Sequence, residues 1–307
     1  MRALIASPQS DERIELRDVP DPIAGPDETL VEVRAVSLNR GELTRLAASE
    51  DGTRFGWDFA AVVVQPSADG RGLPQGTRVV GFVMNTAWAQ LTAVTNNRLA
   101  ALPAGISFEQ ASTLPVAGLT ALRTLQRGGL LLGKRVLVTG ASGGVGRFAV
   151  QLGHLAGAHI TGLASSAQRA KAVRDYGADE AVTTLDTTGE PFDLILESVG
   201  GSTLAAAMGS IKPGGTIVTF GNSSREQTVF NISPFYGRSD ASLQGFSLLA
   251  PSEPPNFGED LAYLAGLVAD GRLAVEIGYQ GSWREAATAL RALRERKVEG
   301  KAVLLVD

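Results

Sequence analysis

The residues best suited to chemistry in this sequence are the small ones at 140–146, GASGGVG. Small residues let the chain turn tightly and bring backbone N–H groups close to a ligand. The apolar run at 136–138 reads as a buried parallel strand, and apolar residues at helical spacing follow the turn. A strand, a glycine turn and a helix N-terminus together favour a pyrophosphate, so we predict a dinucleotide site rather than an ordinary tight turn. Its candidate ligands are Ser142, Gly143, Gly144, Val145 and Gly146.

The strand that follows, at 159–163, indicates which dinucleotide binds. An NAD site usually carries an acid near the end of this strand, whereas residues 163–166 are neutral and the first acid is Asp175. Ser165 and Arg169 stand there instead, and a hydroxyl with a guanidinium suits a 2′-phosphate. The alternatives are a helix N-cap for Ser165 and a solvated helix position for Arg169. The pattern predicts NADPH as the cofactor.

The composition is that of an ordinary globular protein that is large enough for two domains. The chain has 307 residues, 44% of them hydrophobic and 20% charged, with a formal net charge of −4. Neither a basic run nor a membrane-length apolar segment occurs, which argues against nucleic-acid and membrane partners. The five-residue apolar stretch near the N-terminus is too short for a signal peptide core, so a cytoplasmic location is expected.

Cysteine is absent from the sequence, which excludes disulfides, thiolate nucleophiles and cysteine-ligated zinc. The two histidines, His154 and His159, both fall within the glycine-turn unit. They read as a helix residue and a strand residue, because no accompanying pattern of metal ligands is present. We therefore expect no metal site.

The elements that must position these residues change character along the chain. Residues 1–115 contain short alternating strands with Gly, Pro and Asp clusters between them, which is typical of a small antiparallel barrel. Residues 116–245 alternate strand and helix, which predicts a doubly wound parallel sheet. Residues 246–307 contain two amphipathic helices and a closing VLLV strand, which we expect to return to the first domain.

Taken together, the motifs of the chain resemble the medium-chain dehydrogenase/reductase superfamily, in its zinc-independent quinone oxidoreductase branch. The matching stretches are VEVRAVSLNRGEL at 31–43, GWDFAAVVV at 56–64, PVAGLTAL at 115–122, GASGGVG, KPGGTIVTFGNSS at 212–224 and GKAVLL at 300–305. The resemblance implies an α/β protein with a GroES-like β-barrel catalytic domain (1–115 and 246–307) and a Rossmann doubly wound parallel-sheet cofactor domain (116–245). It also implies a homodimer that uses NADPH to reduce quinones or α,β-unsaturated carbonyls.

The resemblance carries further site residues. Asn39 matches the catalytic-domain asparagine near the nicotinamide, and Thr120 matches a threonine that meets the carboxamide. Phe220, Gly221 and Asn222 match a segment that lines the cofactor. From the residues alone, these would read as a turn asparagine, a helix-face threonine and a buried strand end.

The chain also differs from the family's sequence pattern in three places. Glu42, Thr44 and Leu46 stand where some relatives carry tyrosines, which suggests a more open substrate pocket. Thr184 replaces a tyrosine often found near the phosphate end. The cysteine and histidine that zinc-dependent relatives use do not occur at the required place, so the resemblance implies hydride transfer without zinc.

In the mechanism that these residues predict, a hydride reaches a quinone or the β-carbon of an enone. Asn39, a backbone N–H or the ribose hydroxyl would then donate a hydrogen bond to the developing oxyanion, and solvent would supply the proton. A short-chain dehydrogenase is excluded, because no tyrosine is followed four residues later by lysine. A non-catalytic NADPH-binding protein and an enoyl reductase for a larger substrate stay open.

Overall fold

The computed structural model describes residues 1–250 and 256–307, which form two units. The first unit contains residues 1–119 together with 256–307, and the second contains residues 120–250. The first division therefore lies at 119/120 rather than at the expected 115/116, inside one continuous helix, Pro115–Gln126. The assignment of a function to each unit stays a prediction.

The first unit is built on a seven-stranded, largely antiparallel sheet, and a separate pair of strands is formed by β1 (Arg2–Ala6) and β2 (Ile14–Asp18). The strands of the sheet are β3 (Glu28–Leu38), β4 (Asp58–Gln65), β5 (Arg78–Phe82), β6 (Leu91–Thr95), β7 (Leu99–Ala101), β14 (Ile277–Ser282) and β15 (Lys301–Leu305). Their order is β14-β15-β3-β4-β5-β7, with β6 also paired to β3. The C-terminal strand β15 thus pairs with β3 near the other end of the sequence.

Four helices accompany this sheet, and a fifth leads into the second unit. They are α1 (Arg40–Ala47), α2 (Phe108–Ser112), α3 (Pro115–Gln126), α8 (Phe257–Ala269) and α9 (Ala286–Arg294). One apolar core joins Leu46 of α1 and Phe59 of β4 to Trp283 and Leu290 from the C-terminal segment. Burial of such large side chains contributes about 1.5 to 3 kcal/mol each, which holds the two parts of the sequence in one unit.

The second unit is a six-stranded, fully parallel sheet, as the alternation of strand and helix predicts. Its strands are β8 (Arg135–Thr139), β9 (His159–Leu163), β10 (Glu180–Val182), β11 (Phe192–Glu197), β12 (Ile211–Thr219) and β13 (Ser242–Gly245), in the order β10-β9-β8-β11-β12-β13. The helices are α4 (Gly144–Leu155), α5 (Ala167–Asp175), α6 (Gly201–Gly209) and α7 (Ser233–Tyr236). The order reverses between β8 and β11, which is where a sheet of this kind binds its ligand.

No helix within residues 1–250 and 256–307 is both long and apolar enough to cross a membrane.

Candidate active site

The glycine turn lies directly after β8, and its geometry requires small residues. Gly140 has a φ of +60°, and Gly143 is the N-cap of α4. A Cβ on Gly146 would lie 2.4 Å from the Gly140 carbonyl oxygen and 2.6 Å from the Ala141 Cα, which are backbone atoms that have no freedom to rotate away. Gly143 is exposed, whereas Ser142, Gly144 and Val145 are half-buried. The first turn of α4 therefore leaves backbone N–H donors near an accessible surface.

Arg147, which the sequence analysis did not identify, braces this turn from the inside. Its side chain is buried, and its Nε donates to the Ser142 carbonyl oxygen at 3.0 Å. Its Nη1 donates to the Tyr176 hydroxyl at 2.6 Å, with the guanidinium 4.8 Å from the centre of the Tyr176 ring. Since Tyr176 follows α5 directly, Arg147 links the glycine turn to that helix.

Ser165 follows the carboxyl end of β9, the neighbour of β8, and Arg169 lies in the first turn of α5. Arg169 Nη1 donates to Ser165 Oγ at 3.2 Å. The N-cap of α5 is Ser166, whose Oγ accepts from the Arg169 backbone N–H at 3.3 Å. The capping role that was the alternative for Ser165 is therefore filled by its neighbour, and the exposed Ser165 hydroxyl stands beside a guanidinium.

The segment Phe220–Asn222 lies beside the turn that follows β11. The Phe220 backbone N–H donates to the Glu197 carbonyl oxygen at 2.9 Å, and Asn222 packs so closely on Gly200 that a Cβ there would meet the Asn222 Oδ1 at 2.1 Å. Gly221 and Asn222 are exposed. The glycine turn, the Ser165–Arg169 pair and this segment thus all follow the carboxyl ends of neighbouring strands, at one edge of the sheet.

Glu197 is a second residue that the sequence analysis missed. Its side chain is fully buried and accepts hydrogen bonds from Thr139 Oγ1 at 3.2 Å and from the N–H groups of Val199 and Gly200 at 2.8 and 3.0 Å. Burial raises the pKa of this carboxyl, and the three hydrogen bonds oppose that change. Glu197 therefore fixes the turn after β11 against the end of β8.

In the first unit, Asn39 is the N-cap of α1 and belongs to a buried polar cluster. Its Nδ2 donates to Asp58 Oδ2 at 2.9 Å, and its Oδ1 accepts from Lys301 Nζ at 2.6 Å. Glu42 closes the first turn of α1, because its Oε2 accepts from the Asn39 backbone N–H at 2.8 Å. We call Ser37, Asn39, Glu42, Asp58 and Lys301 the polar cluster; each is at most 9% exposed.

The carboxyl groups of the polar cluster have an unusual environment. Asp58 Oδ2 also accepts from Ser37 Oγ at 2.6 Å, and Lys301 Nζ lies 3.3 Å from the same oxygen. Burial and the adjacent Asp58 carboxylate raise the pKa of Glu42 to about 8, although Lys301 and the backbone N–H groups of Asn39 and Trp57 oppose the change. With Glu42 protonated, Asp58 and Lys301 balance each other in charge.

Thr120, the remaining predicted site residue, lies in α3 and is buried, and its carbonyl oxygen accepts from Thr124 Oγ1 at 2.7 Å. Within the described residues, no group of three or more His, Asp or Glu side chains is arranged to hold a metal ion.

Comparison with known proteins places this geometry in a family. The sequence model of the zinc-binding dehydrogenase family matches residues 144–263. The chain is 29% identical over 313 residues to a quinone oxidoreductase of Pseudomonas aeruginosa, with 96% of each sequence covered. It is 32% identical over 299 residues to prostaglandin reductase-3 of Bos taurus, covering 90% of this chain and 78% of that protein.

Two further proteins are similar to this chain, one in structure and one, much longer, in sequence. The structure of the quinone oxidoreductase from Coxiella burnetii superposes with a TM-score of 0.85 at 25% identity, over 100% of this chain and 99% of that one. The chain is also 33% identical over 291 residues to the spectinabilin polyketide synthase system protein NorB of Streptomyces orinoci, of which it spans 13%. The parallel sheet, the turn at its carboxyl edge and these similarities agree: the chain is an oxidoreductase that belongs to the medium-chain dehydrogenase/reductase superfamily, in its quinone oxidoreductase-like branch.

Proposed function

We propose that this protein transfers hydride from NADPH to a quinone or to the C=C bond of an α,β-unsaturated carbonyl, without zinc. The observation that carries the proposal is the meeting of the glycine turn and the Ser165–Arg169 pair at the carboxyl ends of β8 and β9. A pyrophosphate at the N-terminus of α4 would place a 2′-phosphate toward the next strand, where a hydroxyl and a guanidinium stand and no carboxylate occurs at 163–166.

The residues of the second unit fit such a cofactor. The N–H groups at the start of α4 would bind the pyrophosphate, while Gly146 permits the close turn that exposes them. Ser165 and Arg169 would hold the 2′-phosphate through charge-assisted hydrogen bonds. Phe220, Gly221 and Asn222 would border the cofactor at the end of β12. When bound, the nicotinamide supplies the hydride, and the protein contributes binding and orientation.

The proposed reaction uses no zinc because the chain has few of the side chains that bind zinc. The sequence has no cysteine and two histidines, and both histidines lie in the glycine-turn unit of the second unit, in α4 and β9. A catalytic zinc site needs three protein ligands drawn from Cys, His and carboxylates. We therefore expect full activity in the presence of a zinc chelator.

The acceptor class follows from relatives of two kinds. One is a quinone oxidoreductase and another a prostaglandin reductase, and both cover most of this chain. The similarity to NorB favours a second candidate, reduction of an enoyl thioester in a biosynthetic assembly. Thr44, in place of a bulkier aromatic side chain, is exposed and favours a larger acceptor, whereas Glu42 and Leu46 are buried and leave no room for one. Product analysis on a quinone, an enone and an enoyl thioester separates these possibilities.

The first experiment is NADPH oxidation by the purified protein against that panel, with NADH as the control cofactor. Turnover with NADPH and a product with a saturated C–C bond would establish an enone or enoyl reductase. Turnover with quinones alone would establish a quinone reductase. NADPH binding without turnover on any acceptor would instead favour the non-catalytic alternative.

The cofactor choice is tested with Arg169→Ala. Loss of one charge-assisted hydrogen bond costs about 1.5 to 3 kcal/mol, or roughly tenfold to a hundredfold in NADPH affinity, and should leave NADH affinity nearly unchanged. Lys171→Ala is the matched control, because Lys171 is an exposed cation on the same helix. An equal loss for both cofactors would show that Arg169 supports the fold or a phosphate common to both.

We also propose a homodimer that forms along β13. Within the part of the chain that the structure describes, β13 pairs with β12 alone, and Leu243 on it is 43% exposed. An unpaired strand edge with exposed apolar side chains is suited to association with a second copy. Light scattering should give twice the chain mass of 32.0 kDa for the parent, and Leu243→Asp should reduce it to the monomer value.

A further inference from the structure

We propose that Asp58 and Lys301 are positioning residues that fix the orientation of the Asn39 carboxamide. This inference rests on the proposed function and on the expectation, implied by the family resemblance, that Asn39 lies near the reacting nicotinamide. The two residues come from different strands, β4 and β15, and both side chains are buried. They meet Asn39 from opposite ends of its amide group.

The orientation of the carboxamide is unambiguous because its two partners have opposite hydrogen-bonding abilities. A lysine ammonium can only donate, so Lys301 Nζ must face the Asn39 Oδ1, at 2.6 Å. An aspartate carboxylate can only accept, so Asp58 Oδ2 must face the Nδ2, at 2.9 Å. A flipped amide would place donor against donor and acceptor against acceptor. The pair therefore selects one of two orientations that an isolated asparagine would populate.

Lys301 has no N–H group left to donate to a substrate. Its three donors face the Leu38 carbonyl oxygen at 3.2 Å, Asn39 Oδ1 and Asp58 Oδ2 at 3.3 Å. Its side chain is 6% exposed, and that of Asp58 is fully buried. A buried cation bound on all three hydrogens is a structural charge. Lys301 therefore affects the reaction through Asn39, whose Oδ1 it binds.

Asp58 acts on a second element at the same time. Its Oδ1 accepts from the Val116 backbone N–H at 2.9 Å, in the first turn of α3. Thr120, which we predict to meet the nicotinamide carboxamide, lies one helical turn further along α3. One carboxylate therefore fixes both Asn39 and the start of the helix that carries Thr120. Ser37 Oγ, which donates to Asp58 Oδ2 at 2.6 Å, holds that carboxylate in turn.

The positioning role is tested with a double-mutant cycle between Lys301→Met and Asn39→Ala. Methionine has a similar length and no donor, so Lys301→Met should lower kcat roughly tenfold while the Kd for NADPH changes less than about twofold. If Lys301 acts through Asn39, adding Lys301→Met to Asn39→Ala should cause little further loss. Fully additive losses would overturn the proposal.

A second readout does not depend on turnover. In NMR spectra, the side-chain amide signals of Asn39 are assigned by their disappearance in Asn39→Ala. They should shift in Lys301→Met and stay in place in Lys297→Met, where an exposed lysine that pairs with Glu295 is lost. Unchanged Asn39 signals in Lys301→Met would overturn the proposal, even if the parent protein turned over no acceptor.

A milder variant covers the case in which Lys301→Met does not fold. Ser37→Ala removes the hydroxyl that donates to Asp58 Oδ2 and leaves every charge in place. We expect a smaller shift of the same Asn39 signals and a kcat reduced by about twofold to fivefold, with NADPH affinity unchanged. No effect on either the signals or kcat would contradict the role of Asp58.

Discussion

The buried Glu42 carboxyl makes the stability of the fold depend on pH in a defined direction. Its pKa is raised from 4.5 to about 8, chiefly by burial and then by Asp58. Below the lower value the side chain is protonated in both the folded and the unfolded chain. Between the two values the unfolded chain releases the proton and the folded chain keeps it, so the free energy of unfolding falls as pH rises. The loss is complete above the higher value.

The size of the effect follows from the same two values. At pH 7 the raised pKa corresponds to on the order of 3 kcal/mol of lost stability. Glu42→Gln removes the titration, but its amide N–H must face the backbone N–H of either Asn39 or Trp57, both of which donate to the Glu42 carboxyl. That mismatch costs about 1 to 3 kcal/mol at every pH. The variant should therefore be less stable than the parent in acid, and the difference should close as pH rises.

The assay is urea-induced unfolding of parent and variant at constant ionic strength, from about pH 5 to about pH 8. Glu50→Gln is the control, because Glu50 is an exposed acid just beyond α1. The free energy of unfolding of the Glu50→Gln variant should vary with pH in the same way as that of the parent. A constant or widening difference between Glu42→Gln and the parent would refute the reasoning, since it would mean that Glu42 is ionised in the folded protein throughout.

Three further predictions concern single side chains. Gly146→Ala should destabilise the second unit and abolish NADPH binding in a fluorescence titration, because its Cβ would lie 2.4 Å from the Gly140 carbonyl oxygen. Gly266→Ala, inside α8 with open space around the new Cβ, should instead raise the free energy of unfolding by up to about 1 kcal/mol in urea titrations. Thr139→Val should lower thermal stability by about 1 to 3 kcal/mol in calorimetry, because it leaves the Ser198 N–H without its acceptor and removes one of the three donors to Glu197.

Features set by neighbouring residues were predictable from the sequence. The strand at 136–138, the glycine turn and α4 are contiguous, and their periodicity and small residues suffice to place a ligand-binding edge. The second unit was therefore predicted as a parallel sheet. The KPGG segment at 212–215 has the composition of a turn, but it lies inside β12. There the pairing register with β11 shifts and Gly214 has a φ of +71°, so the glycines are accommodated as an irregularity within the strand.

Features made by distant residues were not predictable in the same way. Asp58 and Lys301 are 243 positions apart, and each begins an apolar strand in which a single charge looks like a strand end at the surface. They are brought together because β15 and β4 both pair with β3. The sequence pattern after residue 242 does not show where the edge strand β13 ends, at Gly245, because edge position and partner length are properties of the assembled sheet.

The position of β15 between β14 and β3 has a consequence for synthesis on the ribosome. Residues 120–250 form their whole sheet from consecutive sequence, so that unit has all its strands once they emerge. The first unit is translated earlier but lacks an interior strand until residues after 300 appear, and β3 exposes the edge that β15 later covers. Completion of the two units is thus expected in the reverse of their order of synthesis. Lys301, a member of the polar cluster, arrives with that final strand.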